Sequence, residues 1–170
     1  MSVRDHETLA PVKRSESVVV LAGPVVLLGA SLGAAVALQE AADDRRVTAV
    51  VAAETFSDLR TVATERAPFL FIPPIVRRAF RIAEARGHFK VDEVSPRIAA
   101  QRIAIPVLLI HGAEDRETPP SHSARVLAAL NGPKRLVLVP GAGHNASLRP
   151  EVWTEIEQWI DNALKRPDER

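Results

Sequence analysis

The chain contains no cysteine, and aromatic residues make up only 4% of its 170 residues. Without thiols it has no disulfide framework, no thiolate nucleophile and no Cys-ligated zinc, and nothing in it demands an oxidising compartment. With so few rings, the core must be packed from Val, Leu, Ile and Ala. A formal charge of +1 supplies no overall field to recruit nucleic acid or an acidic membrane surface, so polyanion binding is not expected. The opening MSVRDHETLAPVKR lacks the apolar core and small-residue cleavage site of a signal peptide, which reads as a cytoplasmic protein. The uncharged run 18–38 has the length of a membrane span. Gly23-Pro24, Gly29, Ser31 and Gly33 break it into separate elements, and no span is expected.

What is present is the composition of one soluble globular domain, 46% hydrophobic and 25% charged, with length enough for a single core. A polar arm, residues 1–16, precedes a β-branched stretch, 16–22, whose periodicity does not separate helix from strand. Residues 24–28 (PVVLL), 47–53 (VTAVVAA), 106–110 (PVLLI) and 135–139 (RLVLV) are short apolar runs that suit strands covered on both faces of a parallel sheet. Between them lie helical stretches at 32–42, rich in Ala and Leu, and at 121–130, closed by Asn131-Gly132. Pro150 opens a last helix with an apolar stripe of Val152, Ile156, Trp159, Ile160 and Leu164. The middle, 57–100, reads as a helical, cap-like insertion. Ser57 is expected to cap a helix; a second runs from Ile75 towards Gly87 with Arg77, Arg78 and Arg81 in water; a short third follows Ser95-Pro96. Alternating strands and helices predict an α/β fold over residues 1–170. It is a three-layer αβα sandwich whose mostly parallel sheet has about four to five strands joined by right-handed crossovers.

The sequence GASLG, residues 29–33, falls between a predicted strand and a predicted helix, the context that a nucleophile elbow requires. A sharp turn there projects the Ser31 hydroxyl, and small neighbours let the chain pass close. A dinucleotide-binding turn competes for the same residues, with Glu54 at the end of the next strand as ribose anchor. Ser31 stands where that motif needs its middle glycine, which argues against it. The third strand runs into HGAEDRETPP and the fourth into PGAGHN, so Asp115 and His144 arrive at the same carboxyl rim as Ser31. A serine hydroxyl needs a base to take its proton, and an imidazole base needs a carboxylate to set its tautomer. Glu54 or Asp58 after the second strand, and Glu114 beside Asp115, remain rival acids. His111 is expected to pack and hydrogen-bond at its strand end, while His6, His88 and His122 read as surface residues. No ligand spacing predicts a metal, and no cofactor is expected.

On VVLLGASLG, PVLLIHGAED and VPGAGHN, supported by SDL after the second strand and SP before the third, the chain resembles the α/β-hydrolase superfamily. The likeness is greatest to its dienelactone-hydrolase-like and prolyl-oligopeptidase-like serine esterases and peptidases, and covers roughly residues 23–164. The resemblance implies a triad of Ser31, Asp115 and His144, with the Leu32 backbone N–H as one oxyanion donor. It also implies that most strands preceding the elbow are missing, and with them the loop carrying the second donor. Losing one donor costs about 2.7 to 4 kcal/mol of transition-state stabilisation.

Together these readings predict a serine esterase for small, uncharged acyl groups, with Phe69, Leu70, Phe71, Ile72 and Ile75 walling the acyl pocket. Peptidase or thioesterase activity, and a non-catalytic remnant of the fold, are the alternatives. A strand at 24–28 left as a hydrophobic edge recruits partners. A homo-oligomer covering that edge is therefore expected, and a monodisperse monomer by light scattering at micromolar concentration would contradict it.

Overall fold

The computed structural model describes residues 23–67 and 73–165. Its four strands, β1 (Val25–Ala30), β2 (Val47–Ala53), β3 (Val107–Gly112) and β4 (Lys134–Val139), are all parallel and lie in the order β1-β2-β3-β4. Six helices accompany them: α1 (Leu32–Asp43), α2 (Leu59–Glu65), α3 (Pro73–Gly87), α4 (Pro96–Ala100), α5 (Ser121–Ala129) and α6 (Pro150–Leu164), with a 3-10 turn at Val91–Glu93. The architecture is the α/β sandwich that the alternating pattern predicts.

The two central strands are apolar along their length because both faces are covered. Side chains alternate across a strand, so Val50 and Ala52 of β2 and Val107 and Leu109 of β3 point one way. There they meet Ala34 and Leu38 of α1, Ala100 and Ile103 at and after α4, and Val126 and Leu130 at and after α5. Val51, Ala53, Leu108 and Ile110 point the other way, onto Val152 and Ile156 of α6. The crossovers all advance in one direction across the sheet, and a constant right hand then places their helices on one face. α6 follows the last strand and is free to close the other.

At the margins the structure departs from the sequence reading. Among the described residues β1 has β2 alone as neighbour, the edge position expected for the strand at 24–28, but its faces are not both covered as its apolar run suggests: Val25 and Leu28 are 40% and 43% exposed. β4 lies at the opposite edge with Leu138 half exposed. An apolar run is compatible with either position, since its pattern does not count neighbours. Ser57 does not cap α2: the helix starts later, Asp58 occupies the N-cap position, and Ser57 is buried. Ser95 does cap α4, its Oγ accepting the Ile98 N–H at 3.1 Å ahead of Pro96. Arg77, Arg78 and Arg81 are exposed, and α3 buries none of its residues. The readings made for residues 1–22 and for Phe69, Leu70, Phe71 and Ile72 lie outside the described residues. Among the described residues no helix is long and apolar enough to cross a membrane.

Ile156, fully buried against β2 and β3, tests the second face of the sandwich. Ile156→Ala is expected to lower unfolding stability by about 2 to 5 kcal/mol, measured as a reduced urea midpoint at unchanged m-value.

Candidate active site

Ser31 is the single residue between the end of β1 and the start of α1. Its φ of 51° and ψ of −116° put a non-glycine residue in the left-handed half of backbone space, a strain of about 1 to 3 kcal/mol that the surroundings must offset. They do so with backbone hydrogen bonds. The Ser31 N–H donates to the Ala53 carbonyl at 2.9 Å, and the Ser31 carbonyl accepts from Ala34 N–H at 3.1 Å and Ala35 N–H at 3.3 Å. Gly29 is required for the turn to close, because a Cβ there would lie 2.3 Å from the Gly33 carbonyl oxygen; Gly33 has open space around it. Of the two glycines in the motif, the first therefore carries the steric demand. The N–H of Leu32, first residue of α1, accompanies the hydroxyl at this helix start and has no acceptor among the described residues.

Asp115 and His144 arrive on the loops after β3 and β4. Their backbones pack directly on one another: a Cβ on Gly112 would lie 2.4 Å from the Ala142 carbonyl oxygen, and the Glu114 N–H donates to that same oxygen at 2.9 Å. Ser31 Oγ lies 2.9 Å from His144 Nε2, and His144 Nδ1 lies 2.7 Å from Asp115 Oδ2. The Asp115 side chain is fully buried and that of His144 is 6% exposed. Burial by itself would raise the Asp115 carboxyl, but the Thr118 N–H, His144 and the Glu117 N–H together hold it below its ordinary value. The carboxylate is thus ionised near neutrality, so Nδ1 carries the proton it donates to Asp115 and Nε2 is left to accept the Ser31 hydroxyl proton. Hydroxyl, imidazole and carboxylate form one continuous relay, an arrangement able to activate the serine as a nucleophile.

The rival acids are bound elsewhere. The Glu54 carboxylate accepts backbone N–H groups of Asn145, Ala146 and Ser147, and that of Asp58 pairs with Ser95 and Arg97. Glu114 is exposed. His111 is buried as expected. Its Nε2 donates to the Thr118 carbonyl at 2.7 Å and lies 3.3 Å from Asp115 Oδ2, and its Nδ1 meets Ser123 Oγ at 2.7 Å. His88 is exposed, but His122 is not a surface residue: it is fully buried, with Nδ1 2.9 Å from Ser57 Oγ and Nε2 2.8 Å from Glu65 Oε2. The signal for that burial was present in the sequence, since His122, Val126 and Leu130 recur at helical spacing on the face that packs the sheet. Ile75, the described member of the predicted acyl pocket, is 47% exposed on α3. Among the described residues no three His, Asp or Glu side chains gather as a metal ion would require.

A parallel sheet with a strained serine turn at its carboxyl rim, met there by an acid and a histidine from the next two strand ends, defines the α/β-hydrolase class. Within that class the chain belongs to the prolyl oligopeptidase family, whose sequence profile matches residues 10–167; its fold is that of a serine hydrolase. It is 37% identical over 121 residues to the uncharacterized protein Rv2307c of Mycobacterium tuberculosis (strain ATCC 25618 / H37Rv), a match covering 71% of this chain and 38% of the relative. It is 31% identical over 123 residues to the uncharacterized protein YfhR of Escherichia coli (strain K12), with the same coverage. The chain thus spans 38% of the length of these curated relatives. Among solved structures, Pyrococcus horikoshii acylaminoacyl peptidase superposes with a TM-score of 0.67 at 17% identity, covering 86% of this chain and 25% of that one. The acetyl xylan esterase from Paenibacillus sp. R4 superposes at 0.64 and 22%, covering 81% and 44%. At these identities the likeness is one of fold.

The buried His122, between buried Ser57 and exposed Glu65, predicts a pH dependence of stability. Burial pushes the His122 imidazole below its ordinary value of 6.5 against the opposing pull of Glu65. The unfolded chain therefore takes up this proton more readily than the folded one, and stability is lost as pH falls below about 6.5. Urea midpoints measured from pH 7 to pH 5 are expected to fall in the parent protein and to fall less steeply in His122→Gln.

Proposed function

We propose that this chain carries the catalytic half of a serine esterase that cleaves small acyl esters through an acyl-enzyme on Ser31. The observation that carries the reading is the unbroken relay from Ser31 Oγ through both nitrogens of His144 to Asp115 Oδ2, at 2.9 and 2.7 Å. In the first step Ser31 Oγ bonds to the acyl carbon while His144 Nε2 takes the hydroxyl proton. Asp115 stays ionised and stabilises the imidazolium that forms. The negative charge developing on the carbonyl oxygen falls to the Leu32 N–H at the start of α1, where the helix end also favours an anion. Collapse of the tetrahedral species expels the alcohol, which takes the proton back from His144. Water, deprotonated by the same imidazole, then attacks the acyl carbon and restores the Ser31 hydroxyl.

Esters are favoured over amides on a physical ground. The described residues offer the oxyanion a single evident backbone donor, and one donor the fewer weakens transition-state stabilisation by about 2.7 to 4 kcal/mol. Ester cleavage, with its better leaving group, tolerates that loss more readily than amide cleavage. The family's peptidase members keep amide cleavage as the second reading.

A fluorophosphonate probe and turnover of p-nitrophenyl acetate test the proposal. The parent chain is expected to label and turn over, Ser31→Ala to lose both, and Asp115→Asn to lose about 10⁴-fold in kcat by leaving the imidazole in the wrong tautomer. A parent protein that neither labels nor hydrolyses is instead a remnant that keeps the elbow for packing. Faster cleavage of an acylated peptide anilide than of the ester would favour the peptidase reading.

A further inference from the structure

Among the described residues Glu54 is the most deeply buried carboxylate outside the relay, 1% exposed, and the mechanism above does not use it. It directly follows β2, with a φ of 55° that a non-glycine residue adopts only under constraint. Its N–H donates to the Ile110 carbonyl of β3 at 2.7 Å. Its carboxylate turns to the loop after His144 and accepts three successive backbone N–H groups: Ser147 at 3.0 Å and Ala146 at 3.1 Å on Oε1, and Asn145 on Oε2. Asn145 itself sits at a φ of 59°. A left-handed residue at the head of consecutive N–H groups forms a concave anion site of the kind that binds phosphates in other proteins; here a side chain of the same chain fills it. Among the described residues Glu54 has no cationic partner, so its charge is met by backbone dipoles.

The loop it holds needs holding. Between β4 and His144 run Pro140, Gly141, Ala142 and Gly143, and glycine loses more conformational freedom on ordering than any other residue. The His144 ring must nonetheless sit within hydrogen-bond reach of both Ser31 and Asp115. The residue before Glu54 is Ala53, whose carbonyl accepts the Ser31 N–H at 2.9 Å. Adjacent residues at one strand end therefore tether the backbone of the nucleophile and the backbone just past the base.

We propose that Glu54 is the positioning residue for His144: its buried carboxylate fastens the histidine loop to the strand end that also fastens Ser31, and so sets the distance between hydroxyl and imidazole. Glu54 touches no reacting atom and acts through His144. The proposal rests on the relay reading of Ser31, His144 and Asp115, and it makes claims about the loop that do not depend on turnover.

Glu54→Gln keeps the volume and one acceptor oxygen, while its amide group faces an N–H donor; Glu54→Ala removes both oxygens. A displacement of the base on the order of 1 Å costs about 10²-fold in rate, so kcat is expected to fall about 10- to 100-fold in Glu54→Gln and further in Glu54→Ala. KM should stay within about twofold, because binding of the ground state is untouched. Probe labelling should slow in the same order. A role confined to stability would instead lower the melting temperature and leave kcat of the folded protein unchanged, which overturns the proposal.

Amide hydrogen exchange supplies the readout that needs no substrate. In the parent protein the Asn145, Ala146 and Ser147 amides are expected to be protected. In Glu54→Gln they should exchange on the order of tenfold faster, with the Nδ1 proton signal of His144 broadened. If these amides exchange at loop rates in the parent protein, the clamp is absent and the proposal falls even should both variants fail to fold. If the clamp is seen but the parent protein neither labels nor turns over, the esterase reading falls and the clamp stands.

Discussion

The placement of β2 between β1 and β3 governs everything at the rim of this molecule. The register sets Ala30, Ala53 and Ile110 side by side; β1 and β2 end at that level and β3 two residues later, at Gly112, beside the end of β4, so the chain turns at one rim each time. Parallel strands return through crossovers on a face of the sheet, which leaves the carboxyl ends free to gather loops. The last hydrogen bonds of that register, Ser31 N–H to Ala53 and Glu54 N–H to Ile110, are also what keep two non-glycine residues at positive φ. Strain at the serine turn is thus borne by the most deeply buried part of the sheet.

Beyond the rim the polar groups are buried and almost all satisfied. Asp115 has three hydrogen-bond partners across its two oxygens, two backbone N–H groups and the His144 imidazole, with the His111 ring 3.3 Å from Oδ2. Glu54 has three, His111 is bonded at both nitrogens, and so is His122. A buried polar network of this kind costs desolvation energy that only complete pairing offsets, and once complete it admits few alternative arrangements. Two carboxylates at adjacent strand ends take different work from this environment. Asp115 meets a side chain and so bears on a ring's proton; Glu54 meets only main chain and so bears on a loop's position.

Much of the architecture was legible in the chain. The runs VTAVVAA and VLLIHG are apolar without alternation because both faces are covered, and that is a local property a sequence displays. The same holds for the stripe of α6, for Ser95-Pro96 at the start of α4, and for the small residues around Ser31. Strand ends then bring Ser31, Asp115 and His144 to one rim, and the order of elements suffices to say so. The edge position of β4 was not legible, since an apolar hexamer reads alike with one neighbour or two; that of β1 followed only from the preceding strands that the resemblance implies are missing.

By itself, then, the sequence determined the layers, the helix starts at Pro96 and Pro150, and the elbow, because each depends on residues within a turn or two of one another. Only the tertiary structure decided which acid meets the imidazole, that His122 pairs with Ser57 and Glu65, and that Glu54 holds a loop rather than a ring. Glu54 and Asn145 are 91 positions apart and His122 and Ser57 are 65 apart. Pairings at that separation follow from strand order and register, which no local pattern of hydrophobicity or propensity encodes.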